Sequence, residues 1–359
     1  MHKVSIKPHW TIALADGGAV PPRLLTLLVQ VEDCGSLAAA CQRLGLSYRH
    51  AWDLVRQGES LLGAALLAME RGRGSRLTPL GEKLVWADRR IAARLSPALD
   101  SLASELELEL DRVMPQPHSV LRVHASYGYS IEKLIEQLRA DGVVVDRKYV
   151  SSQEAAASLH DGACDLCGFH VPLGAFEARG WESYMRWLEP SEQVLIELTT
   201  RRQGLMVQAG NPKKIYDAAD LARPGVRFIN RQRGSGTRFL LDCLLEQAGV
   251  GPDRIVGYEQ GEHTHAAVAA FVGSDMADVA FGLELPARQF KLDFIPLASE
   301  RYFLLARRDA LAAPQVAAVI AVLRDPAFRA RLDALPGYDG ARSGQVRQLD
   351  DVLRQAGIA

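Results

Sequence analysis

The sequence GSLAAACQRLGLSYRHAWDLV occupies residues 35–55 and contains two short helical patterns separated by a glycine. Ser36 and Ser47 can each accept a hydrogen bond from the backbone at a helix start, and the glycine between them permits the left-handed conformation that ends a helix. These signals predict helices over 37–44 and from Ser47 towards residue 62. Two helices joined by a glycine turn form the unit whose second helix enters the major groove of DNA.

The flanking residues complete a winged-helix pattern. Loose alternation over residues 4–14 predicts one or two short strands, and apolar spacing over 23–32, after a Pro-Pro pair, predicts a helix. The glycine-punctuated, arginine-rich segment 69–77 predicts a hairpin that would be the wing. We therefore expect a winged helix-turn-helix DNA-binding domain over residues 1–80.

A long helix is predicted next. Thr78 can cap it, Pro79 suits its first position, and leucines follow at near-heptad spacing to about residue 113, with an interruption at Pro97. An apolar stripe of this kind is typical of a dimer seam or a linker helix. We assign residues 81–117 to a linker and dimerisation helix and expect at least a homodimer.

From residue 118 the pattern changes to strands that alternate with helices. The predicted elements are strands 121–125, 143–145 and 165–169 and helices 131–139 and 152–160. This order is typical of a parallel sheet covered by helices, so the fold class of this part is α/β.

Two extended segments, residues 204–209 and 302–306, bracket a second α/β unit. A chain that leaves one lobe by one strand and returns by another forms two lobes joined by a hinge. We therefore predict a two-lobed domain over residues 118–359. Lobe I would comprise residues 118–203 and 303–359, and lobe II residues 204–302.

The start of the helix after Ser47 is a candidate for DNA contact. Between residues 43 and 76 six arginines stand against three carboxylates, which gives a local basic surface on a chain of net charge −1. Short or bidentate side chains there can reach base edges or phosphates, and we favour this reading over a solvated helix start. The DNA-binding candidates are Ser36, Ser47, Tyr48, Arg49, His50, Arg71, Arg73 and Arg76.

The segment RQRGSGTR at residues 231–238 is a candidate anion cradle. It follows a strand predicted over 226–229 and precedes a helix predicted over 239–247. Glycines let backbone N–H groups approach a ligand, a helix N-terminus attracts negative charge, and hydroxyl and guanidinium groups add donors. The spacing fits neither a Walker loop nor a dinucleotide fingerprint. We favour the cradle over a simple capped turn.

Other helix starts add candidates for the same cleft. Three polar residues follow the first strand of the α/β region, where open sheets place their ligands, and Thr264 can cap a helix over 265–272. The ligand-binding candidates are Ser126, Tyr127, Tyr129, Asn230, Arg231, Gly234, Ser235, Gly236, Thr237, Arg238, His263 and Thr264.

Metal binding and catalysis are not favoured. His263 and His265 form a His-x-His pair, but no third ligand is evident. Cys164 and Cys167 have redox spacing but run into a strand, so a structural pair is favoured. No nucleophile–base constellation stands out. We expect no catalytic residue, no metal and no cofactor, and an α/β enzyme is a minor alternative.

The composition favours a cytoplasmic location. The first ten residues lack the apolar core of a signal peptide, and no apolar run approaches the roughly 20 residues of a membrane helix. The five cysteines show no framework spacing, so reduced thiols are expected. We predict no membrane partner.

The N-terminal stretch resembles the winged helix shared by LysR-type and ModE-type regulators. The LGLSYRxAW core at residues 44–52 and LTPLG at 77–81 resemble the ModE branch especially. Residues 126–130, 228–238 and 262–268 resemble the type 2 periplasmic-binding-protein fold used as a sensor domain. The chain departs here from ModE itself, whose C-terminal half is a pair of small β-barrel molybdate-binding modules.

The resemblance implies a transcriptional regulator that binds double-stranded DNA, forms a homodimer or homotetramer, and senses a small anionic effector. The ModE-like half implies molybdate or tungstate, and formate fits an equally compact cradle. The implied targets are promoters of molybdoenzyme, formate dehydrogenase or oxyanion-uptake genes. The alternative is a LysR-type regulator that responds to a larger organic metabolite.

Overall fold

A computed structural model describes residues 4–13, 17–70, 74–112 and 120–358. The described residues form two compact units, one within residues 7–95 and the other within residues 1–6 and 96–359. The division falls inside the long helix that the sequence predicts. The domain limits at residues 80 and 117 stay predictions.

The first unit contains three helices followed by a hairpin. Its elements are α1 (Pro22–Cys34), α2 (Leu37–Leu44), α3 (Tyr48–Leu62), β1 (Leu67–Glu70) and β2 (Gly74–Leu77), and α4 (Pro79–Arg112) begins here. β1 and β2 pair antiparallel. Ser36 Oγ accepts from Ala39 N, and Ser47 Oγ accepts from His50 N, each at 3.2 Å. The predicted winged helix-turn-helix fold is therefore confirmed.

One local expectation was wrong. Residues 4–13 form no strand, and in the described part of this segment the only pairing is an isolated bridge between Ala13 and Ala19. The apolar residues Trp10 and Ile12 pack against the helical core instead, and Trp10 Nε1 donates to Asp88 Oδ1 at 2.9 Å. The apolar positions thus serve core packing without a strand partner. Leu14 lies outside the described residues.

The core of the first unit comes from one face of each helix. Leu24, Leu27 and Leu28 of α1, Leu37 of α2 and Val55 of α3 are fully or almost fully buried. No single described helix is both long and apolar enough to span a bilayer, although α1 and α2, bent by 117° at their junction, meet that criterion as a pair.

The second unit is an α/β domain. Its helices after α4 are α5 (Tyr129–Ala140), α6 (Ser152–His160), α7 (Glu177–Glu182), α8 (Gly236–Gln247), α9 (His265–Gly273), α10 (Glu284–Gln289), α11 (Pro314–Arg324), α12 (Pro326–Asp333) and α13 (Leu349–Gln355). Its strands are β3 (Val120–Ala125), β4 (Val144–Tyr149), β5 (Leu166–Pro172), β6 (Gln193–Val207), β7 (Phe228–Arg231), β8 (Gly261–Glu262), β9 (Val279–Leu283), β10 (Asp293–Arg307), β11 (Tyr338–Asp339) and β12 (Val346–Gln348). The sheet order is β4-β3-β5-β10-β6-β9-β7-β8, and β11 and β12 pair with β6.

Two long strands join the lobes. β6 and β10 have 15 residues each and pair antiparallel. The first half of β6 packs with β3 and α5 in one hydrophobic core, which contains Ile196, and its last residues pack with β7 and α8 in another core, which contains Leu205. The α/β class and the two lobes are as expected. The lobe limits at 203/204 and 302/303 stay predictions.

Candidate functional site

A cavity of about 480 Å³ opens between the lobes of the second unit. It lies at the carboxyl ends of β3, β4 and β7, where open sheets place their ligands. The sequence-predicted residues that line it are Ser126, Tyr127, Arg231, Ser235, Gly236, Thr237 and His263. Residues far apart in the chain thus meet at one cavity.

Three other predicted residues make contacts within the fold. Tyr129 Oη donates to Gln289 Oε1 at 3.1 Å. The Asn230 side chain donates to the Tyr258 carbonyl at 3.0 Å and accepts from Arg231 N at 2.9 Å. Thr264 Oγ1 caps α9 by accepting from Ala267 N at 2.9 Å. These contacts shape the loops around the cavity.

Gly234 and Arg238 line a neighbouring cavity of about 490 Å³ on the other side of the same loop. Gly234 has φ of 80°, which is the left-handed region that glycine tolerates best. The Arg238 guanidinium lies over the Tyr258 ring at 4.5 Å and pairs with Glu259 at 3.5 Å. This arginine is therefore engaged away from the first cavity.

The starts of α8 and α6 both line the cavity and lie close together. Ser235 Oγ caps α8 by accepting from Arg238 N at 3.2 Å, so α8 begins at Gly236, three residues before the predicted start. A Cβ placed on Gly236 would lie 3.7 Å from His170 Cβ and 4.0 Å from Ser152 Oγ at the start of α6. Helix N-termini carry partial positive charge, so two of them at one cavity favour an anion in that cavity.

Arg201 is a lining residue that the sequence analysis missed. Its side chain on β6 is 2% exposed, and its Nε donates to Glu300 Oε1 on β10 at 2.5 Å. Its Nη1 is buried and has no hydrogen-bond partner among the described residues. No local signal singles it out in the sequence, because its neighbours Thr199, Thr200, Arg202 and Gln203 are polar as well.

Arg231 is the second buried arginine of the cavity. Its Nε donates to the Glu262 carbonyl at 3.2 Å and its Nη2 to the His263 carbonyl at 2.9 Å, while Nη1 finds no acceptor in the described part of the chain. Burial, followed by repulsion from Arg201, lowers the Arg231 pKa to about 9. A guanidinium held under these conditions is stabilised by an incoming anion.

Two histidines beside the arginines are neutral at pH 7. Burial lowers the pKa of both His170 and His265 well below 6.5, and the charges of the two arginines lower it further. His170 Nδ1 lies 3.1 Å from Ser126 Oγ, and His265 Nε2 lies 3.5 Å from Thr237 Oγ1. The positive charge therefore resides on the arginines, and the histidines and hydroxyls supply hydrogen bonds. His170, and His265 of the His-x-His pair, were not among the ligand-binding candidates from the sequence, although both line the cavity.

The lining is positively charged overall. Of its described residues, Arg201, Arg231 and Arg233 are cationic and Glu154 is the one carboxylate. Glu154 already accepts a hydrogen bond from Ser151 N at 2.8 Å in the cap of α6. The arrangement suits a small or medium-sized anion.

Metal-ligating and redox arrangements are weakly supported. Within the described ranges no three His, Cys, Asp or Glu residues are grouped as metal ligands, and His263 is exposed whereas His265 is buried. Cys164 and Cys167 are buried unpaired thiols, and burial raises the Cys164 pKa to about 12. Thiols with raised pKa react poorly as nucleophiles.

Five of the predicted DNA-contact residues are exposed in the first unit. Ser47, Tyr48, Arg49 and His50 are all exposed at the start of α3, with Tyr48 at 47%. Ser36 is half-buried at the start of α2, and Arg76 is exposed on β2. Arg71 and Arg73 lie outside the described residues.

Comparisons with curated proteins give relatives of part of the chain. It is 35% identical over 206 residues to the uncharacterized protein YvgK of Bacillus subtilis, covering 56% of this chain and 64% of that protein. It is 34% identical over 102 residues to the molybdenum-pterin-binding protein MopB of Rhodobacter capsulatus, covering 27% of this chain and 38% of that protein. It is 30% identical over 97 residues to the transcriptional regulator ModE of Yersinia pestis, covering 26% of this chain and 36% of that protein. The chain thus spans between about a third and two-thirds of the length of these relatives.

Two family models match adjacent regions. The model for the bacterial regulatory helix-turn-helix protein of the lysR family matches residues 22–82, which contain α1 to α3 and the hairpin. The model for the PBP superfamily domain matches residues 135–324, more than half of the chain. The chain therefore belongs to the PBP superfamily, and it joins a domain of that superfamily to a lysR-family regulatory helix-turn-helix domain.

Proposed function

We propose that this protein is a DNA-binding transcriptional regulator whose affinity for promoter DNA changes when a small anion occupies the cavity between the lobes. The observation that carries the proposal is the pair of buried guanidinium groups in that cavity. Arg201 Nη1 and Arg231 Nη1 are both buried and both lack an acceptor within the described chain. Two buried guanidinium groups beside the single carboxylate of Glu300 leave uncompensated positive charge, which is costly in a buried site, so a bound anion stabilises this domain.

The donor set favours an oxyanion or a carboxylate. Guanidinium groups bind such oxygens in a bidentate manner, and Ser126, Ser152 and Thr237 add hydroxyl groups to the lining. Molybdate and tungstate belong among the test ligands because one relative, MopB, is named a molybdenum-pterin-binding protein. Another relative, ModE, is named a transcriptional regulator. Formate belongs there because it is a small carboxylate.

A larger organic anion is the second candidate. The cavity of about 480 Å³ lies within the range of roughly 300–1,000 Å³ that holds organic metabolites. Tyr127 and Tyr149 line it beside the arginines, and their rings meet edge to face at 5.1 Å. Such a surface suits the apolar part of an organic carboxylate.

DNA contact is assigned to the exposed start of α3 and to Arg76 of the hairpin. Base edges would meet Tyr48, Arg49 and His50, and phosphates would meet the arginines.

The anion acts on transcription only if it binds two arrangements of the protein with different affinity, because its effect on DNA binding cannot exceed that difference in binding free energy.

The test combines two measurements on the full chain. Thermal unfolding is followed with molybdate, tungstate, sulfate, phosphate, formate and larger carboxylates, since a ligand that binds the folded state raises the Tm. Binding to promoter-region DNA is then measured with and without each anion that raises the Tm. We expect a selective rise in Tm and a changed DNA affinity for the same anion.

Matched variants make the test specific. Arg231→Gln removes a lining guanidinium and should reduce the anion effect on Tm strongly, whereas Arg254→Gln, at an exposed position outside the lining, should retain it in full. Arg49→Ala should weaken DNA binding without changing the anion effect on Tm. A Tm that no anion raises would contradict anion sensing, and undiminished DNA affinity in Arg49→Ala would contradict the assigned DNA surface.

A further inference from the structure

The second half of α4 lies along β4, which is an edge strand of the sheet. Ser104 Oγ accepts from Arg147 N at 3.0 Å and donates to the Val145 carbonyl at 3.3 Å. Ser101 Oγ accepts from Tyr149 N at 3.1 Å. We call Ser101 and Ser104 the serine clamp. The two serines are three residues apart on the helix, and they bond backbone groups of every second residue of β4. An edge strand otherwise leaves such backbone groups without a partner in the sheet.

Ion pairs reinforce the clamp. Arg147 is almost fully buried; its Nε donates to the Asp100 carbonyl and its Nη2 lies near Asp100 Oδ1, each at 3.3 Å. Its Nη1 lies 3.5 Å from Glu132 Oε2 on α5. About one turn after Ser104 on α4, Glu107 Oε2 forms an ion pair with Arg139 Nη2 at 2.7 Å. This part of the helix is therefore bound to the α/β domain by polar contacts.

The same stretch of α4 reaches the cavity. Pro97 is one of its lining residues, and Ser96 lies beside the Tyr127 side chain. Tyr149, whose backbone N–H the clamp holds, also lines the cavity and contacts the Tyr127 ring. A ligand in the cavity therefore meets the helix directly, through Pro97, and indirectly, through the two tyrosines.

We propose that the clamped segment of α4, residues 96–104, forms a wall of the ligand site and that a bound anion regulates DNA binding by changing how this segment packs on β4. This inference rests on the proposed function. α4 is continuous from Pro79 to Arg112, so it begins in the first unit and ends in the second. A ligand can shift the packing of this segment by as much as it binds one packing more tightly than the other.

The experiment removes the clamp and leaves the cavity lining intact. Ser101→Ala combined with Ser104→Ala is compared with wild type and with Ser158→Ala. Ser158 is the matched control because it also lies on a helix of this domain, where its Oγ donates to the Glu154 carbonyl at 2.8 Å. The probes are molybdate and formate. The readouts are amide hydrogen exchange at Arg147 and Tyr149, anion affinity, and DNA affinity with and without the probe.

In the clamp variant we expect faster exchange at both amides and loss of most of the anion effect on DNA affinity. Anion binding should persist with a shifted affinity, because binding and the packing of this segment are coupled reciprocally. Ser158→Ala should match wild type in all three readouts. If the variant does not fold, wild type alone is decisive, because anion binding must alter exchange at Arg147 and Tyr149.

The outcomes separate the two proposals. An anion that binds wild type without altering exchange at these amides, or a clamp variant that keeps the full anion effect on DNA, overturns the role of α4 and leaves anion sensing in place. A wild type that binds neither molybdate nor formate, nor any other anion of the thermal panel, overturns anion sensing and this inference with it.

Discussion

Arg201 Nε and Glu300 Oε1 lie 2.5 Å apart between the paired strands β6 and β10, and both side chains are almost completely shielded from water. Glu300 also accepts from Gln203 Nε2 at 2.7 Å, so its carboxylate is held in one position beside the cavity. Its charge favours the protonated form of Arg201 and also of Arg231. Two buried guanidinium groups therefore share this carboxylate, which leaves net positive charge for a ligand.

Replacing Glu300 tests this sharing of charge. Glu300→Gln keeps the shape of the side chain but removes its charge, so we expect the ligand-free protein to lose about 3–5 kcal/mol of unfolding free energy. The bound anion then becomes the main neutralising group, so the rise in Tm caused by sulfate should be larger than in wild type. Urea unfolding and thermal unfolding measure the two effects.

Glu197→Gln is the control for that variant. Glu197 is also a buried carboxylate on β6, and it pairs with Arg342 at 2.9 Å, outside the cavity lining. Its replacement should destabilise the fold without enlarging the sulfate effect. Equal sulfate effects in both variants would show that Glu300 does not set the charge of the cavity.

Anion affinity should depend on pH through Arg231. Its pKa in the ligand-free protein is about 9, and a bound anion stabilises the charged form and raises that pKa. Affinity is therefore highest below about pH 9 and should fall by up to about tenfold per pH unit above it. Sulfate is a suitable probe because its own charge is constant over this range.

His170 and His265 should determine how sulfate affinity changes at acid pH. The pKa values of His170 and His265 lie well below 6.5 without ligand, and an anion favours their protonated forms, so sulfate affinity should rise at acid pH. Isothermal titration across the pH range measures both limbs. Arg231→Gln should remove the alkaline fall and keep the acidic rise; an alkaline fall that persists would assign it to another group.

Local signals explain which parts of the site were predictable. Ser235, Gly236 and Thr237 could be assigned because caps and glycines act on their immediate neighbours. The β7–α8 loop was located from them, although α8 begins three residues before the predicted start. Arg201 could not be assigned, because its partner Glu300 lies 99 residues away and the pair exists only through the register of β6 and β10. Residues 4–13 misled for a related reason, since their apolar positions pack on a core that only tertiary structure creates.

The raised pKa of Glu132 predicts that the free energy of unfolding depends on pH. Burial raises its pKa from 4.5 to about 7, although Arg147 opposes the shift, and Asp100 and Glu136 add to it. Because the folded pKa exceeds the unfolded one, stability is greatest below about pH 4.5 and falls as pH rises towards 7. The loss amounts to about 3 kcal/mol at most.

Glu132→Gln should remove this pH dependence. The variant cannot ionise, so its unfolding free energy above pH 7 should exceed that of wild type, and the difference should vanish near pH 4.5. Urea unfolding at a series of pH values measures it. Glu182→Gln, at an exposed position on α7, is the control and should follow wild type. A wild-type profile unchanged by Glu132→Gln would mean that Glu132 ionises as readily in the folded as in the unfolded chain.

The exposed leucines of α4 test the expected self-association. Leu95, Leu102, Leu106 and Leu110 recur at helical spacing, and each is between 41% and 49% exposed. If a second copy covers this face, each leucine buried contributes about 1.5–3 kcal/mol. Leu102→Gln combined with Leu106→Gln should therefore weaken a dimer by several orders of magnitude in Kd, as measured by sedimentation equilibrium. Val256→Gln, at an exposed apolar position elsewhere in the second unit, should leave the mass unchanged. The leucine variant should retain anion binding. A lower mass together with an unchanged anion effect on Tm would therefore show that this face of α4 forms the dimer contact. An unchanged mass would place the dimer contact on another surface.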